Sequence, residues 1–267
     1  MKDNWLKQKM AHKKWALGPF CKSTEPAIYE IAGLAGFDFA IIDMEHGPIS
    51  YETAQNLIRT CELVGVSPII RVPRNEEHYI LRALDIGAHG VEVPEINTKE
   101  QAEKLAEAAR YYPEGKRGVC RYVRAAEYSR STKAEYFRQA NANTIVIAHL
   151  EGLEGLKNLD QILEVKGIDL LFIGPYDLSQ SMGIPGQVDH PELIAKMGAI
   201  VEKVKSKKKL VGTFVESPEE AVTWINHGVS YISYSVDLGL LLDKFSSVVK
   251  GVYEQKRVIE IESRNNI

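Results

Sequence analysis

The chain has 267 residues, enough for one large domain with a full hydrophobic core. Its 45% hydrophobic and 26% charged residues, mixed in sign along the chain with a net charge of −3, argue against a polybasic nucleic-acid or membrane-surface protein. The scattered Cys21, Cys61 and Cys120 form no CxxC pair, no apolar stretch nears the ~18 residues that cross a bilayer, and the first residues lack the apolar core of a signal peptide, so a soluble cytoplasmic protein is expected.

Residues 1–13 read as a leading helix, and Trp15–Cys21 and Phe37–Asp43 as the first two strands. Residues 51–63 follow Ser50, a good N-cap, and carry Glu52 in the first turn, which predicts a helix. Ser67–Arg71 and Gly90–Val93 are the next strands, and residues 98–111 open on a capping box made by Thr98 and Gln101. The stretch from Pro113 to Asn143 is long and Arg-rich, with a weak helical pattern after Ala125, and is expected to be a lid or a subunit contact. Thr144–Glu151, Asp169–Gly174, Leu210–Val215 and Ser230–Ser235 complete the strands, with a helix over 216–227. The basic run Lys205 to Lys209 reads as the cationic end of a helix. Residues 239–262 place Leu241, Leu242, Phe245, Val248, Val249, Val252 and Tyr253 on one helical face.

Strand-like runs alternating with amphipathic helices predict a parallel sheet, and a count of eight favours one (β/α)8 TIM barrel over residues 1–267. No G-x-G-x-x-G follows the first strand, which speaks against a dinucleotide fold. Chemistry in such barrels sits at the C-terminal ends of the strands. Asp43, Glu45 and His46 leave the second strand there, Arg71 ends the third, and His149 and Glu151 leave the fifth on one face because side chains alternate. Asp177 follows the sixth strand in "FIGPYDLS". Two carboxylates at one mouth suit a hard divalent cation; each also reads as a helix cap or surface ion pair. Asp43, three residues before His46, is placed to orient it as a general base, and Arg71 equally to pair with a strand-end acid. The other histidines, His12, His78, His89, His190 and His227, read as solvated.

"FDFAIIDMEHGP", "IIRVP", "LDIGAHGVEVPEINT", "YYPEGKRG" and "LFIGPYDLSQSMGIPGQVDHPEL" together resemble the HpcH/HpaI aldolases, class II pyruvate aldolases of the 2-keto-3-deoxy and 2,4-dihydroxyhept-2-ene-1,7-dioate type. The resemblance runs from about residue 14 to 245. It implies a carbon–carbon lyase that cleaves a 2-keto-4-hydroxy acid reversibly to pyruvate and an aldehyde, through a pyruvate enolate at a divalent metal. It implies Glu151 and Asp177 as ligands for Mg²⁺, Mn²⁺ or Co²⁺, Arg71 at the enolate oxygen, and His46 with Asp43 in proton transfer. Substrate would be bound by Gly174, Pro175, Tyr176 and His149, with the backbone from Gly174 to Asp177 on the pyruvate carboxylate. It further implies a C-terminal helix swapped between subunits and a hexamer built as a trimer of swapped dimers. Many such relatives carry Gln in place of His149, apolar residues in place of Glu92 and Glu95, and a small residue in place of Tyr176. A histidine at 149 would sit behind the metal ligands or add a nitrogen ligand.

Two other functions fit the same sequence. A citrate-lyase-β-like acyl-CoA lyase would share the barrel and the acid pair, with Arg117, Arg121 and Arg124 as the candidate phosphate cluster. A catalytically inactive barrel kept as an assembly or binding subunit would not need the set Asp43, His46, Arg71, Glu151 and Asp177. A Schiff-base aldolase would need a strand-end lysine, for which Lys22 is the best placed.

Overall fold

The computed structural model describes residues 4–130 and 132–265; residues 1–3 of the expected leading helix lie outside the described residues. Among the described residues, eight parallel strands close a barrel in sequential order: β1 (Ala16–Cys21), β2 (Phe39–Asp43), β3 (Ser67–Arg71), β4 (Gly90–Val93), β5 (Ile145–Leu150), β6 (Leu170–Ile173), β7 (Leu210–Val215) and β8 (Tyr231–Val236). The helices are α1 (Trp5–Lys13), α2 (Pro26–Ala35), α3 (Tyr51–Leu63), α4 (Glu77–Asp85), α5 (Lys99–Ala109), α6 (Lys133–Asn143), α7 (Leu153–Lys157), α8 (Leu159–Glu164), α9 (Pro175–Ser181), α10 (Pro191–Ser206), α11 (Pro218–Asn226) and α12 (Asp237–Asn265). The fold is therefore the expected (β/α)8 barrel.

Strand alternation sorts the side chains into two layers. Phe39, Ile41, Ile69, Ile145, Ile147, Leu170, Phe172 and Tyr231 fill the barrel interior, while Ala40, Ile42, Ile70, Val91, Val93, Val146 and Leu150 face the helices. Each fully buried large apolar side chain contributes roughly 1.5–3 kcal/mol. Leu6 and Met10 of α1 pack into the interior cluster and close the N-terminal end of the barrel. Asn4 caps α1 and also donates to the carbonyls of His89 and Asn143, tying that plug to the strands. The same alternation aligns Asp43 with Phe39 and Ile41, Arg71 with Ile69, and His149 with Ile145 and Ile147, so the polar groups line the open end of an otherwise apolar interior.

Local signals hold where the cap chemistry is explicit. Ser50 accepts from the Thr53 N–H, Thr98 and Gln101 form the reciprocal box, and the basic run lies at the end of α10, where Lys209 donates to the carbonyls of Val165 and Ile168.

Two expectations are corrected. The stretch between α5 and α6 does not cover its own barrel mouth. Arg117 bonds Asp85 at 2.6 Å and Arg124 bonds Glu62 at 2.6 Å, which pins the segment beside the C-terminal ends of α3 and α4, at the opposite end of the barrel. His89 is buried rather than solvated, at 8% exposure, with its ring edge-on to Trp5 and near Glu62. It precedes β4, where the chain passes beneath the plug helix.

Candidate active site

β2 ends in Asp43 and β3 in Arg71, and the two are register partners on neighbouring strands. Their side chains meet as a two-pronged pair: Arg71 Nε donates to Asp43 Oδ1 at 2.9 Å and Nη2 to Oδ2 at 2.7 Å. Asp43 Oδ1 also accepts the backbone N–H groups of Glu45 and His46, which shapes the turn that leaves the strand. Burial pushes the Asp43 carboxyl up, but the bonds from Arg71 outweigh it and hold it below the usual carboxylate range. The guanidinium lies over the Phe20 ring at 4.5 Å and reaches Glu45 at 3.1 Å through Nη1.

This corrects the expected partnership of Asp43 with the His46 imidazole. The aspartate is engaged across the sheet by Arg71, and it holds His46 only through the backbone. The imidazole itself is 61% exposed, with Nε2 3.8 Å from Glu45.

On β5 the alternation carries His149 inward, and Glu151 follows on the same side just past the strand. His149 Nδ1 bonds Glu151 Oε1, Nε2 bonds Glu92 Oε1, and the ring stacks on Phe172 at 4.5 Å. Both ring nitrogens are thus engaged, which leaves neither free as a metal ligand in this arrangement. Burial lowers the His149 pKa, but the two flanking carboxylates outweigh it and raise it to about 9. Burial raises the Glu151 carboxyl, and His149 more than offsets that, leaving it below its ordinary value. Glu151 Oε2 accepts the backbone N–H of Glu95 at 3.2 Å. Glu95 takes a left-handed φ of 57° to present it, a strained conformation for a side-chain-bearing residue.

β6 runs into Gly174 and then α9, whose first turn holds Pro175, Tyr176 and Asp177. The first N–H groups of a helix lack intrahelical partners and suit a carboxylate. A Cβ placed on Gly174 would stand 3.2 Å from Glu151 Cγ, 3.8 Å from Glu151 Oε1 and 3.9 Å from Asp177 Oδ2, so glycine keeps open the space between the two carboxylates. Among the described residues the Asp177 carboxylate has no protein partner. No cluster of three or more His, Cys, Asp or Glu set to hold a metal occurs among the described residues. Two carboxylates fit a hard cation such as Mg²⁺, which takes one or two and fills its remaining positions with water and substrate oxygens.

The mouth is a cavity of about 350 Å³ lined by Lys22, His46, Arg71, Glu151, Tyr176 and Asp177, among others. Tyr176 donates to Glu216 at 2.5 Å, and that pair stands between this cavity and a smaller one of about 250 Å³ towards Trp224. The architecture thus brings the residues of the aldolase reading to one end of the barrel, whereas Arg117 and Arg124 of the candidate phosphate cluster pair with Asp85 and Glu62 at the other end, away from the mouth.

Residues 17–243 match the family model for HpcH/HpaI aldolase/citrate lyase. The chain belongs to that family. It is 32% identical over 237 residues to a 5-keto-4-deoxy-D-glucarate aldolase of Shigella boydii, covering 89% of this chain and 91% of the relative. An HpcH/HpaI family protein from Burkholderia cenocepacia superimposes with a TM-score of 0.87 at 30% identity, covering 94% of this chain and 99% of that one. Citrate synthase SbnG superimposes with a TM-score of 0.86 at 29% identity, covering 95% and 99%. As an HpcH/HpaI protein, the chain is a carbon–carbon lyase.

Two residues of this HpcH/HpaI mouth were given no role from the sequence. Glu45 bridges Arg71 and His46. Burial lifts its carboxyl, Arg71 opposes and Glu151 adds to the rise, so it titrates at about 7, which suits proton transfer near neutral pH. Glu92 is fully buried on β4 and holds the far side of His149. Its inward position follows from the alternation of "GVEV", in which Val91 and Val93 face the helices.

Proposed function

We propose that the protein is a class II, divalent-metal-dependent pyruvate aldolase, an aldehyde-lyase that cleaves a 2-keto-4-hydroxy acid reversibly to pyruvate and an aldehyde. The observation that carries this reading is the convergence of Arg71, Glu151 and Asp177 around one cavity at the strand ends. Glu151 and Asp177 would hold Mg²⁺, Mn²⁺ or Co²⁺, which when bound supplies Lewis-acid stabilisation of negative charge on the pyruvate oxygens.

The chain's own residues do the rest. The N-terminal turn of α9 from Gly174 takes the pyruvate carboxylate. Two of the arginine's N–H groups bond Asp43 and Nη1 pairs with Glu45 at 3.1 Å, and the remaining N–H groups are left for the keto oxygen. His46 removes the 4-hydroxyl proton, the C3–C4 bond breaks, and its electrons pass to the pyruvate oxygen as an enolate. Protonation at C3 then releases pyruvate. Arg71 meets charge that exists only after bond cleavage begins, which favours the transition state over bound substrate. Asp43 acts by fixing Arg71 and the turn that presents His46. Tyr176 borders the aldehyde side and His149 supports Glu151 from beneath. The relative named as a 5-keto-4-deoxy-D-glucarate aldolase supports a keto-deoxy sugar acid as the substrate class.

Chelation tests the reading. EDTA is expected to abolish both C3 proton exchange of pyruvate and retro-aldol cleavage, and added Mg²⁺, Mn²⁺ or Co²⁺ to restore them. Full activity after chelation, or a borohydride-trapped pyruvate adduct on Lys22, would overturn it.

The likeness to citrate synthase SbnG favours a second reading, in which the same enolate chemistry runs towards carbon–carbon bond formation. Condensation of an acyl-CoA with a keto acid, in the absence of aldol cleavage over a panel of hydroxyaldehydes, would select it.

We also propose that α12 docks on a second subunit in a hexamer of swapped dimers. The support is its uncovered apolar face: Leu242, Phe245, Val248, Val249, Val252 and Tyr253 are each more than half exposed. Asp237, at its start, binds the backbone N–H groups of Lys22 and Ser23 beside the mouth, so the cut that tests this must spare it. A chain ending at Leu241 is expected to scatter light as a smaller or aggregated particle. A soluble species of the parent's oligomeric mass would contradict the docking role. No helix of the described residues is long and apolar enough to cross a membrane. The three free cysteines support a reducing cytoplasm as its location.

A further inference from the structure

The barrel interior beneath the mouth carries an unusual object. Glu92 has no solvent exposure and sits among apolar strands. A buried carboxylate is costly unless its oxygens are bonded. Both are: Oε1 by His149 Nε2, and Oε2 by the Tyr231 hydroxyl at 3.2 Å, which reaches across the barrel from β8. Tyr231 is itself fixed, stacked on Phe39 with ring centroids 4.0 Å apart. From His149 the chain of contacts continues to Glu151 Oε1, and Glu151 Oε2 closes on the Glu95 N–H.

We propose that Glu92 is a positioning residue for metal binding: anchored by Tyr231, it fixes the His149 ring, and His149 fixes the carboxylate of Glu151. This rests on the reading of Glu151 as a metal ligand. The alternative, that Glu92 serves only packing, does not explain why an acid stands where an apolar side chain would fill the interior without desolvation cost. Groups that hold a ligand from behind typically set metal affinity by about 10–100-fold. Phe172 stacks on the face of the ring, and Glu92 is the group bonded to the ring nitrogen opposite Glu151.

The test is equilibrium binding of Mn²⁺ alone to the full-length protein, without substrate. Glu92→Leu is expected to weaken it by about 10–100-fold. Glu92→Gln keeps an acceptor for His149 and a polar partner for Tyr231, and is expected to remain within about threefold of the parent. In a His149→Ala background, Glu92→Leu is expected to add almost nothing, because the path it acts through is gone. Parent affinity in Glu92→Leu, or an undiminished effect in the His149→Ala background, would overturn the proposal. Should leucine prevent folding, Tyr231→Phe keeps the stacked ring, removes one hydrogen bond to Glu92 and is expected to cost about twofold to tenfold; parent affinity there counts equally against it. Glu151→Ala separates the two readings. Unchanged Mn²⁺ affinity in that variant removes Glu151 as a ligand, whereas loss there with parent affinity in Glu92→Leu removes only the role of Glu92.

Discussion

Arg71→Ala is expected to slow C3 proton exchange of pyruvate and retro-aldol cleavage together, each by about 10²–10³, the usual cost of removing one charged or preorganised donor from an oxyanion. The shared effect follows from where charge develops. Exchange and cleavage both pass through the pyruvate enolate, and only the second needs an aldehyde. Arg71 is well prepared for that role, because Asp43 grips it through two bonds, Glu45 through a third contact, and Phe20 supports its face. Little reorganisation is then needed when the oxyanion forms. Lysine cannot reproduce the planar fork, so Arg71→Lys is expected to recover little of the loss. Proton exchange measured by NMR in D₂O at saturating metal decides the matter. A parent exchange rate in Arg71→Ala would remove its enolate role, whatever happens to cleavage.

Much of this site is legible in the sequence, for physical reasons. A parallel sheet covered by helices on its outside needs short apolar runs, and here Gly, Pro and polar residues bound each run closely enough to place all eight strands. Alternation then fixed which polar residues share a face, as with His149 and Glu151. What stayed hidden depended on register between strands. Asp43 lies three residues from His46 in sequence, but its register partner across the sheet is Arg71, and the cross-strand pair wins the carboxylate. Glu92 read as one polar residue in a strand that is otherwise apolar, and only closure of the barrel brings His149 and Tyr231 to it. The Arg-rich stretch after α5 read as a lid or a subunit contact because length and charge carry no information about which end of the barrel a loop joins. Its ion pairs to Asp85 and Glu62 settle that.

Glu151→Ala and Asp177→Ala are each expected to lose metal binding, and with it activity, while remaining folded. Removing a ligand should exceed the about 10–100-fold cost of losing a supporting group, since it takes away one of the two carboxylates that the chain offers the cation. The two variants should differ in stability. Asp177 is exposed on the first turn of α9 and without a protein partner among the described residues, so its removal sacrifices only a modest helix-end contribution of roughly 0.3–1 kcal/mol. Glu151 lies above His149, whose raised pKa depends on it, and truncation leaves that ring nitrogen unbonded in a buried site. A buried polar group left without its partner costs about 1–3 kcal/mol, so Glu151→Ala should melt below Asp177→Ala. Calorimetric titration with Mg²⁺ or Mn²⁺, alongside thermal melts of both variants, reads the two effects separately. Parent metal affinity in either variant would remove that residue from the ligand set. Equal melting temperatures with metal binding lost in both would leave the ligands in place and instead count against the load that Glu151 carries for His149.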